Sequence, residues 1–202
     1  ILAVAGNIEW DELRDQVGSL LSDWQGPADH FPLPKEAEGE DLHISHSSSQ
    51  THIGIAFDAI PYSHPDYFQL RGAIGVLSDG MSSRLFTEVR ENRGLCYAVQ
   101  ASCFSLKDRG SVMTYAGTTS ERAQETLDVT LEQLTLLGKG IEPDELERVQ
   151  ARIKSALIMQ QESSSSRSGS MTSDWYYLER VHSLEELNQV LGDLTCESIK
   201  AF

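Results

Sequence analysis

Two stretches of strand-forming residues, 95–106 and 111–118, are separated by the short polar segment Lys107-Asp108-Arg109-Gly110. A short glycine-containing connection between two such runs is typical of a β-hairpin, whose strands are antiparallel neighbours. A sheet must bury its apolar face against another layer, so the rest of the chain is expected to supply covering elements.

Apolar residues at helical spacing predict those elements. Predicted helices occupy 9–24, 67–77, 82–92, 120–137, the residues from Pro143, 183–191 and the residues from Thr195. Further strands are predicted at 1–8 and 50–58. The serine run at 163–166 could be a linker on composition alone, but helical patterns continue on both sides of it. This order predicts an α+β fold in one domain, 1–202: a two-layer sandwich whose largely antiparallel sheet carries helices on one face.

Three prolines and several acidic residues predict a solvated loop over residues 26–41. The chain has no initial Met and opens directly on an apolar run, so we expect it to be a piece of a longer protein. The sequence leaves the cellular compartment open.

The net charge of the chain argues against two classes of binding partner, nucleic acids and anionic membranes. The 31 acidic side chains outnumber the 16 basic ones, for a net charge of −15. Nucleic-acid binding depends on clustered Lys and Arg that release counterions from phosphates, so it is not the expected activity. An acidic chain is also unsuited to an anionic membrane, and no apolar run approaches the roughly 18 residues of a membrane span.

Cys96, Cys103 and Cys196 are odd in number, and none lies in a C-x-x-C pair, so neither a disulfide framework nor a cysteine zinc site is indicated. On one continuous strand, a separation of seven would point Cys96 and Cys103 to opposite faces. We interpret them as small core residues.

His43, His46 and His52 lie close together in the sequence and raise the hypothesis of a metal-binding module. The interval of three places His43 and His46 on opposite faces of an extended chain, and no Glu or Cys at a helical spacing completes a tetrahedral set, which favours surface histidines. His30, His64 and His182 have no evident partner in the sequence. No G-x-S-x-G elbow supports a Ser-His-Asp triad. The glycines at 72, 75 and 80 lack the Gly-Lys-Ser/Thr ending of a phosphate loop and suit packing or a pocket instead.

The segment 79–97 concentrates Arg84, Arg90 and Arg93 in an acidic chain. Arg90 lies at the predicted end of a helix and Tyr97 near the start of the next strand, with Gly94 turning the chain between them. A guanidinium can bind a carboxylate or a peptide carbonyl, and a phenol remains a hydrogen-bond donor at neutral pH. The alternative is structural: an Arg84–Glu88 pair, a solvated Arg90, and Tyr97 as packing.

In this segment the sequence resembles the pitrilysin/insulinase family of zinc metallopeptidases, the inverzincins, and specifically the C-terminal half that binds no metal. The family pattern of Met-Ser-Ser-Arg-Leu-Phe, Val-Arg-Glu and Arg-Gly-Leu-x-Tyr is found here at 81–86, 89–91 and 93–97. Residues 4–8, 161–167 and 184–187 with Thr195 extend the resemblance to essentially the whole chain. Ser78-Asp79 stands where the family's turn is usually richer in glycine.

The resemblance implies two homologous halves that close around a peptide. The N-terminal half would carry His-x-x-Glu-His and a distal Glu, which bind zinc and supply the general base. The other half presents an Arg/Tyr pair, which maps onto Arg90 and Tyr97: Tyr97 would donate to the substrate carbonyl as it becomes tetrahedral, and Arg90 would hold the peptide backbone or its carboxylate. Arg84 and Arg93 are expected as weaker substrate contacts.

No His-x-x-Glu-His occurs in these 202 residues, so we expect zinc in the full-length enzyme but no catalytic zinc, and no hydrolysis, in this chain alone. Expected partners are the N-terminal half, in the same chain or a separate subunit, and a peptide substrate, and the sequence leaves a homo-oligomer open. The alternative is a non-catalytic structural or partner subunit of the same family, and the presence of both Arg90 and Tyr97 favours the enzyme.

Overall fold

The computed structural model describes residues 1–26, 39 and 41–202 in two compact units, one of Ala5–Ser47 and one of Ile1–Val4 with Ser48–Phe202. The described part of the smaller unit contains helix α1 (Trp10–Leu21). Asp11 and Glu12 lie in its first turn, where carboxylates interact favourably with the helix dipole. Most of the loop predicted for 26–41 lies outside the described residues.

The larger unit is built on an antiparallel sheet. Its strands in the described part of the chain are β1 (Thr51–Ala59), β2 (Cys96–Ser105) and β3 (Gly110–Thr118), in the order β1-β3-β2. The predicted hairpin and the strand predicted at 50–58 are therefore confirmed. Gly110 closes the hairpin, where a Cβ would collide with the carbonyl oxygen of Ile60, so the turn requires glycine.

Six helices of the described chain accompany the sheet: α2 (Tyr67–Ser78), α3 (Ala123–Leu137), α4 (Pro143–Glu162), α5 (Ser164–Leu178), α6 (Leu184–Gly192) and α7 (Cys196–Ala201). Helices α4, α6 and α7 begin with capping boxes at Glu142, Ser183 and Thr195, which satisfy backbone N–H groups that have no partner inside a helix. No helix in the described ranges is long and apolar enough to cross a membrane.

Helix α2 lies at the centre of the larger unit, because its two sides serve two hydrophobic clusters. Leu70, Ile74 and Leu77 pack with the sheet, in a cluster that includes Leu85, Val89, Leu95, Cys96, Ala101, Val112 and Val129. Ala73 and Val76 pack in a second cluster, with Ile141, Leu146, Val149, Leu191, Leu194 and Ile199 of the helical layer. The α+β sandwich predicted from the sequence is confirmed.

Two glycines of α2 allow this close packing. A Cβ at Gly72 would lie 2.9 Å from Cδ1 of Ile199, and a Cβ at Gly75 would lie 2.7 Å from Cγ1 of Val149. Real Cβ atoms do not approach so closely, so the side chains of Ile199 in α7 and Val149 in α4 would have to shift. The interpretation of these residues as packing glycines is confirmed.

Some predicted elements are wrong or differ in form. Residues 1–8 form no strand, because a strand requires a hydrogen-bonded partner and the described pairings are only β1 with β3 and β2 with β3. The helix predicted from Ser120 starts with a 3₁₀ turn, Ser120–Arg122, before α3. The serine run is not a linker: Ser163 caps α5 by accepting from the N–H of Ser166, and the helix continues through it.

Candidate functional site

The helix predicted at 82–92 has a different form from a regular α-helix. After Arg84 and Leu85 the chain forms a π-helical segment, Phe86–Glu91, in which the N–H of Asn92 bonds the carbonyl of Thr87, five residues earlier, at 2.8 Å. A π-helix contains about one residue more per turn than an α-helix and is frequent at functional sites. The extra residue changes the direction in which Arg90 projects.

Tyr97 lies in a second irregularity, a β-bulge. Cys96 is paired with Thr118 and Ala98 with Gly117, so Tyr97 is the extra residue of β2 and has no partner in β3. Its side chain is 83% exposed. Bulges occur beside active sites, where they redirect a side chain.

A short turn joins the π-helical segment to the bulge. Gly94 has a positive φ of 59°, a conformation that favours glycine. The N–H of Leu95 then bonds the carbonyl of Val89 at 2.9 Å, which returns the chain toward the segment it has just left. Residues seven apart in sequence, Arg90 and Tyr97, thereby become neighbours.

The guanidinium of Arg90 is held between two aromatic rings. Its central carbon lies 5.2 Å from the ring centre of Tyr97 and 4.7 Å from that of Phe86. Cation–π contacts of this kind contribute about 0.5–1 kcal/mol at exposed sites. Its ion pair in the described chain is a loose one with Glu91, at 3.7 Å from Nε to Oε1, and 37% of its side chain is exposed. The pair therefore presents N–H and O–H donors together at the surface.

Arg84 makes a different contact. Its Nε and Nη2 donate to the Glu145 carboxylate at 2.7 and 2.6 Å, and Nη2 also donates to the carbonyl of Gly140 at 3.0 Å. These hydrogen bonds to Glu145 raise the pKa of Arg84 above its ordinary value. The Arg84–Glu88 pair considered from the sequence is not formed.

Arg93 pairs with Glu88 instead, at 2.5 Å from Nη1 to Oε2, and also donates to the Glu88 carbonyl at 3.0 Å. Arg84 and Arg93 line one cavity of about 840 Å³, together with Lys139 and Lys200, whereas Arg90 and Tyr97 do not line it. The structure therefore brings Arg90 and Tyr97 together and places the other two arginines at a separate polar cavity.

The bulge also corrects the interpretation of the cysteines. Cys96 pairs with Thr118 and Cys103 with Val112, and both partners are buried on the core face of β3. Because Tyr97 adds one residue between them, the two cysteines face the same side, not opposite sides. Cys96 is in the sheet cluster and Cys103 packs against it, as expected for small core residues. All three cysteines are free.

The histidines do not form a metal centre. In the described ranges no group of three or more His, Cys, Asp and Glu is placed to hold a metal ion. His43, His46 and His52 are all exposed, and Nδ1 of His52 lies 2.8 Å from the hydroxyl of Tyr115. His182, for which the sequence indicates no partner, lies 3.1 Å from the buried carboxylate of Asp174. His30 is outside the described residues.

Two residues near the site were not found from the sequence. Phe86 stacks on Arg90, and its position four residues earlier on a helical segment is the one signal that could have indicated this. Thr118 donates a hydrogen bond to the carbonyl of Leu95 at 2.6 Å. No local signal connects residues 23 positions apart.

Comparison with known proteins agrees with the family resemblance found in the sequence. The family model of the peptidase M16 inactive domain matches residues 1–153. A protein called an uncharacterized zinc protease in Bacillus subtilis (strain 168) is 29% identical over 201 residues, which cover 98% of this chain and 49% of that protein. One from Rickettsia felis is 26% identical over 200 residues, covering 98% and 48%. The chain thus spans about half the length of these relatives.

Solved structures are similar as well. The peptidase M16 inactive domain from Pseudomonas fluorescens has a TM-score of 0.72 and 27% identity, over 77% of this chain and 38% of that one. A protease from Helicobacter pylori has a TM-score of 0.78 at 19% identity, over 98% of this chain and 50% of that one, and at this identity the likeness shows the fold alone.

Proposed function

The chain belongs to the family of peptidase M16 inactive domains, in agreement with the resemblance seen in its central motif, and from that membership we propose that it is the substrate-binding half of a zinc-dependent metalloendopeptidase. The curated relatives are named zinc proteases and are about twice as long as this chain. Residues 1–202 act as one domain beside an N-terminal half, and the two enclose a peptide.

The contact between Arg90 and Tyr97 carries this proposal. Two irregularities, a π-helical segment and a bulge, place a guanidinium and a phenol against each other at the surface. A peptide carbonyl that develops negative charge needs donors that are already oriented, because orienting them during the reaction would cost free energy. Tyr97 donates to that oxygen, and Arg90 binds the adjoining backbone or a terminal carboxylate.

Zinc enters the proposal through the other half only. The described residues of this chain offer no group of three or more ligands for a metal ion. Arg84 and Arg93 have a lesser part as substrate contacts through the cavity that both line. The side chain of Arg93 is 36% exposed there.

The decisive experiment compares tyrosine variants of the full-length protein, loaded with zinc, on an internally quenched peptide library. Tyr97→Phe keeps the ring that contacts Arg90 and removes the hydroxyl donor. Loss of one such donor is expected to lower kcat by about 10²–10³. Tyr176→Phe is the matched control, since Tyr176 is an exposed tyrosine of α5.

An unchanged kcat/KM in Tyr97→Phe would refute the catalytic assignment of this hydroxyl. If the full-length protein cleaves no peptide under any zinc loading, the alternative of a non-catalytic partner subunit replaces the proposal.

A further inference from the structure

We propose that Thr118 is a positioning residue for Tyr97: its hydroxyl holds the carbonyl of Leu95 and so fixes the bulge that directs the phenol toward Arg90. This inference rests on the function proposed above for Tyr97, but its structural part can be tested without activity. Thr118 does not touch the expected substrate, and it acts through the backbone of β2.

The carbonyl group of Leu95 lies two residues before Tyr97, the extra residue of the bulge. Leu95 immediately precedes β2 and is only 3% exposed, so its carbonyl needs a partner inside the protein. Thr118 Oγ1 donates to it at 2.6 Å. Thr118 also pairs in register with Cys96, the residue just before the bulge. Thr118 therefore faces the start of β2 in the sheet register and holds the residue before it through its side chain, next to the point where the extra residue enters.

The Thr118 hydroxyl has a second hydrogen-bond partner, the hydroxyl of Thr126. Its Oγ1 lies 3.1 Å from Oγ1 of Thr126, a residue of α3 that is 0% exposed, while Thr118 is 6% exposed. Water has little access to this pair, so it cannot readily replace the hydroxyl if Thr118 is changed. On the other side of the turn, the guanidinium of Arg122 donates to the carbonyl of Gly94. The peptide groups that precede Tyr97 are thus anchored to β3 and to the start of α3.

The position of the bulge matters because side chains alternate along a strand. If the bulge moved by one residue or disappeared, Tyr97 would take a paired position and its side chain would change face. The contact of 5.2 Å between Arg90 and the Tyr97 ring belongs to the present register. The bond at Leu95 favours an extra residue in β2, because with Ala98 opposite Gly117 and no extra residue, Tyr97 would pair with Thr118 and Leu95 would move out of reach of the Thr118 hydroxyl.

Thr114, four residues before Thr118 in β3, provides a matched control. Thr114 lies on the same buried face as Thr118 and is 1% exposed, but its hydroxyl has no hydrogen-bond partner in the described chain. Thr114→Val and Thr118→Val are the same isosteric exchange on one strand. The first removes a buried hydroxyl without a partner, and the second removes the donor to Leu95.

The experiment uses the full-length protein with three variants, Thr118→Val, Thr118→Ser and Thr114→Val. The first readout is the Nε–H resonance of Arg90 in protein labelled with ¹⁵N-arginine, because the rings of Tyr97 and Phe86 shift it. The second is kcat and KM on a quenched peptide that the wild-type protein cleaves. In Thr118→Val we expect the resonance to move toward its random-coil position and kcat to fall at least tenfold, with a smaller change in KM. Thr118→Ser and Thr114→Val should resemble the wild type.

The proposal is overturned if Thr118→Val keeps the wild-type Arg90 resonance. If Thr118→Val does not fold, Thr118→Ala and Thr118→Ser decide, since both lack the methyl group and only serine keeps the hydroxyl; equal resonances in these two would also overturn it. A silent Tyr97→Phe together with a displaced Arg90 resonance in Thr118→Val would refute the proposed function and leave the positioning role intact.

Discussion

The guanidinium of Arg84 and the carboxylate of Glu145 form a bidentate ion pair, with Nε to Oε1 at 2.7 Å and Nη2 to Oε2 at 2.6 Å. The pair links the central motif to the first turn of α4. Glu145 also accepts from the N–H of Glu142 and so closes the capping box of that helix. Only 16% of the Arg84 side chain and 15% of the Glu145 side chain are exposed. This arginine therefore joins two parts of the fold.

Replacing Arg84 by methionine is expected to lower the free energy of unfolding by about 2 kcal/mol, somewhat less than for a fully buried pair, because it leaves the Glu145 carboxylate partly buried without its cation. Urea unfolding followed by circular dichroism measures this. Arg148→Met is the control, since the Arg148–Asp144 pair lies on the same helix with side chains 48% and 68% exposed; its expected change is much smaller, because exposed ion pairs contribute little to stability. Equal effects of the two variants would contradict the structural role of Arg84.

The Arg84–Glu145 pair also predicts that the free energy of unfolding depends on pH. Burial alone raises the pKa of Glu145, but the hydrogen bonds from Arg84 and from the N–H of Glu142 outweigh it and hold the pKa below its ordinary value. A carboxyl whose pKa is lower in the folded state stabilises the fold above the unfolded pKa, about 4.3, and loses this contribution as the pH falls through the folded pKa. The stability difference between wild type and Glu145→Gln should therefore be constant near pH 7 and shrink as the pH falls below about 4. A difference that grew on acidification would contradict the sign.

A second pH effect is expected on the alkaline side. Burial, followed by the hydrogen bond that Tyr62 donates to the buried Asp174 carboxylate at 2.9 Å, raises the pKa of Tyr62, and burial raises the pKa of Tyr67 to about 12. A group whose pKa is raised in the folded state stabilises the fold below its unfolded pKa, near 10, and loses that contribution as the pH rises through the folded value.

Tyr62→Phe should therefore be less stable than wild type at pH 7 by about 1–2 kcal/mol, and the difference should narrow above pH 10. Thermal unfolding at several pH values tests this, with Tyr176→Phe as the exposed control. Titration of absorbance at 295 nm should also show that Tyr62 and Tyr67 ionise well above pH 10. If the whole tyrosine absorbance change were complete near pH 10, the predicted environment of these two residues would be excluded.

The stacking of Phe86 on Arg90 predicts a kinetic effect in the full-length protein. Phe86→Leu keeps an apolar side chain but removes the ring that lies 4.7 Å from the guanidinium carbon. Loss of one such contact, about 1 kcal/mol, should lower kcat/KM about fivefold and Phe86→Tyr should restore it. Phe104→Leu, on an exposed phenylalanine of β2, serves as control. Full activity in Phe86→Leu would show that Tyr97 alone orients Arg90.

Most secondary structure in the described chain could be predicted because its causes are local. Apolar residues at helical spacing predicted α2, and Pro143 and Ser183 mark the starts of α4 and α6 within their own first turns. The hairpin follows from two strand patterns with a polar turn between them. The strand predicted for residues 1–8 is not formed, because an apolar run becomes a strand only where another strand is available to pair with it.

The candidate site likewise has a part that can be predicted from the sequence and a part that depends on the tertiary structure. The sequence motif and the family resemblance that it carries make Arg90 and Tyr97 the candidates, because a guanidinium and a phenol flanking a glycine turn are visible in the chain itself. Their contact depends on the π-helical segment and the bulge, and the parity of Cys96 and Cys103 depends on the bulge as well. The bulge is fixed by Thr118, 23 residues from the carbonyl it binds, just as Arg84 is fixed by Glu145, 61 residues away. Such bonds form only after the chain has folded, because their free energy comes from groups that packing has brought together and shielded from water.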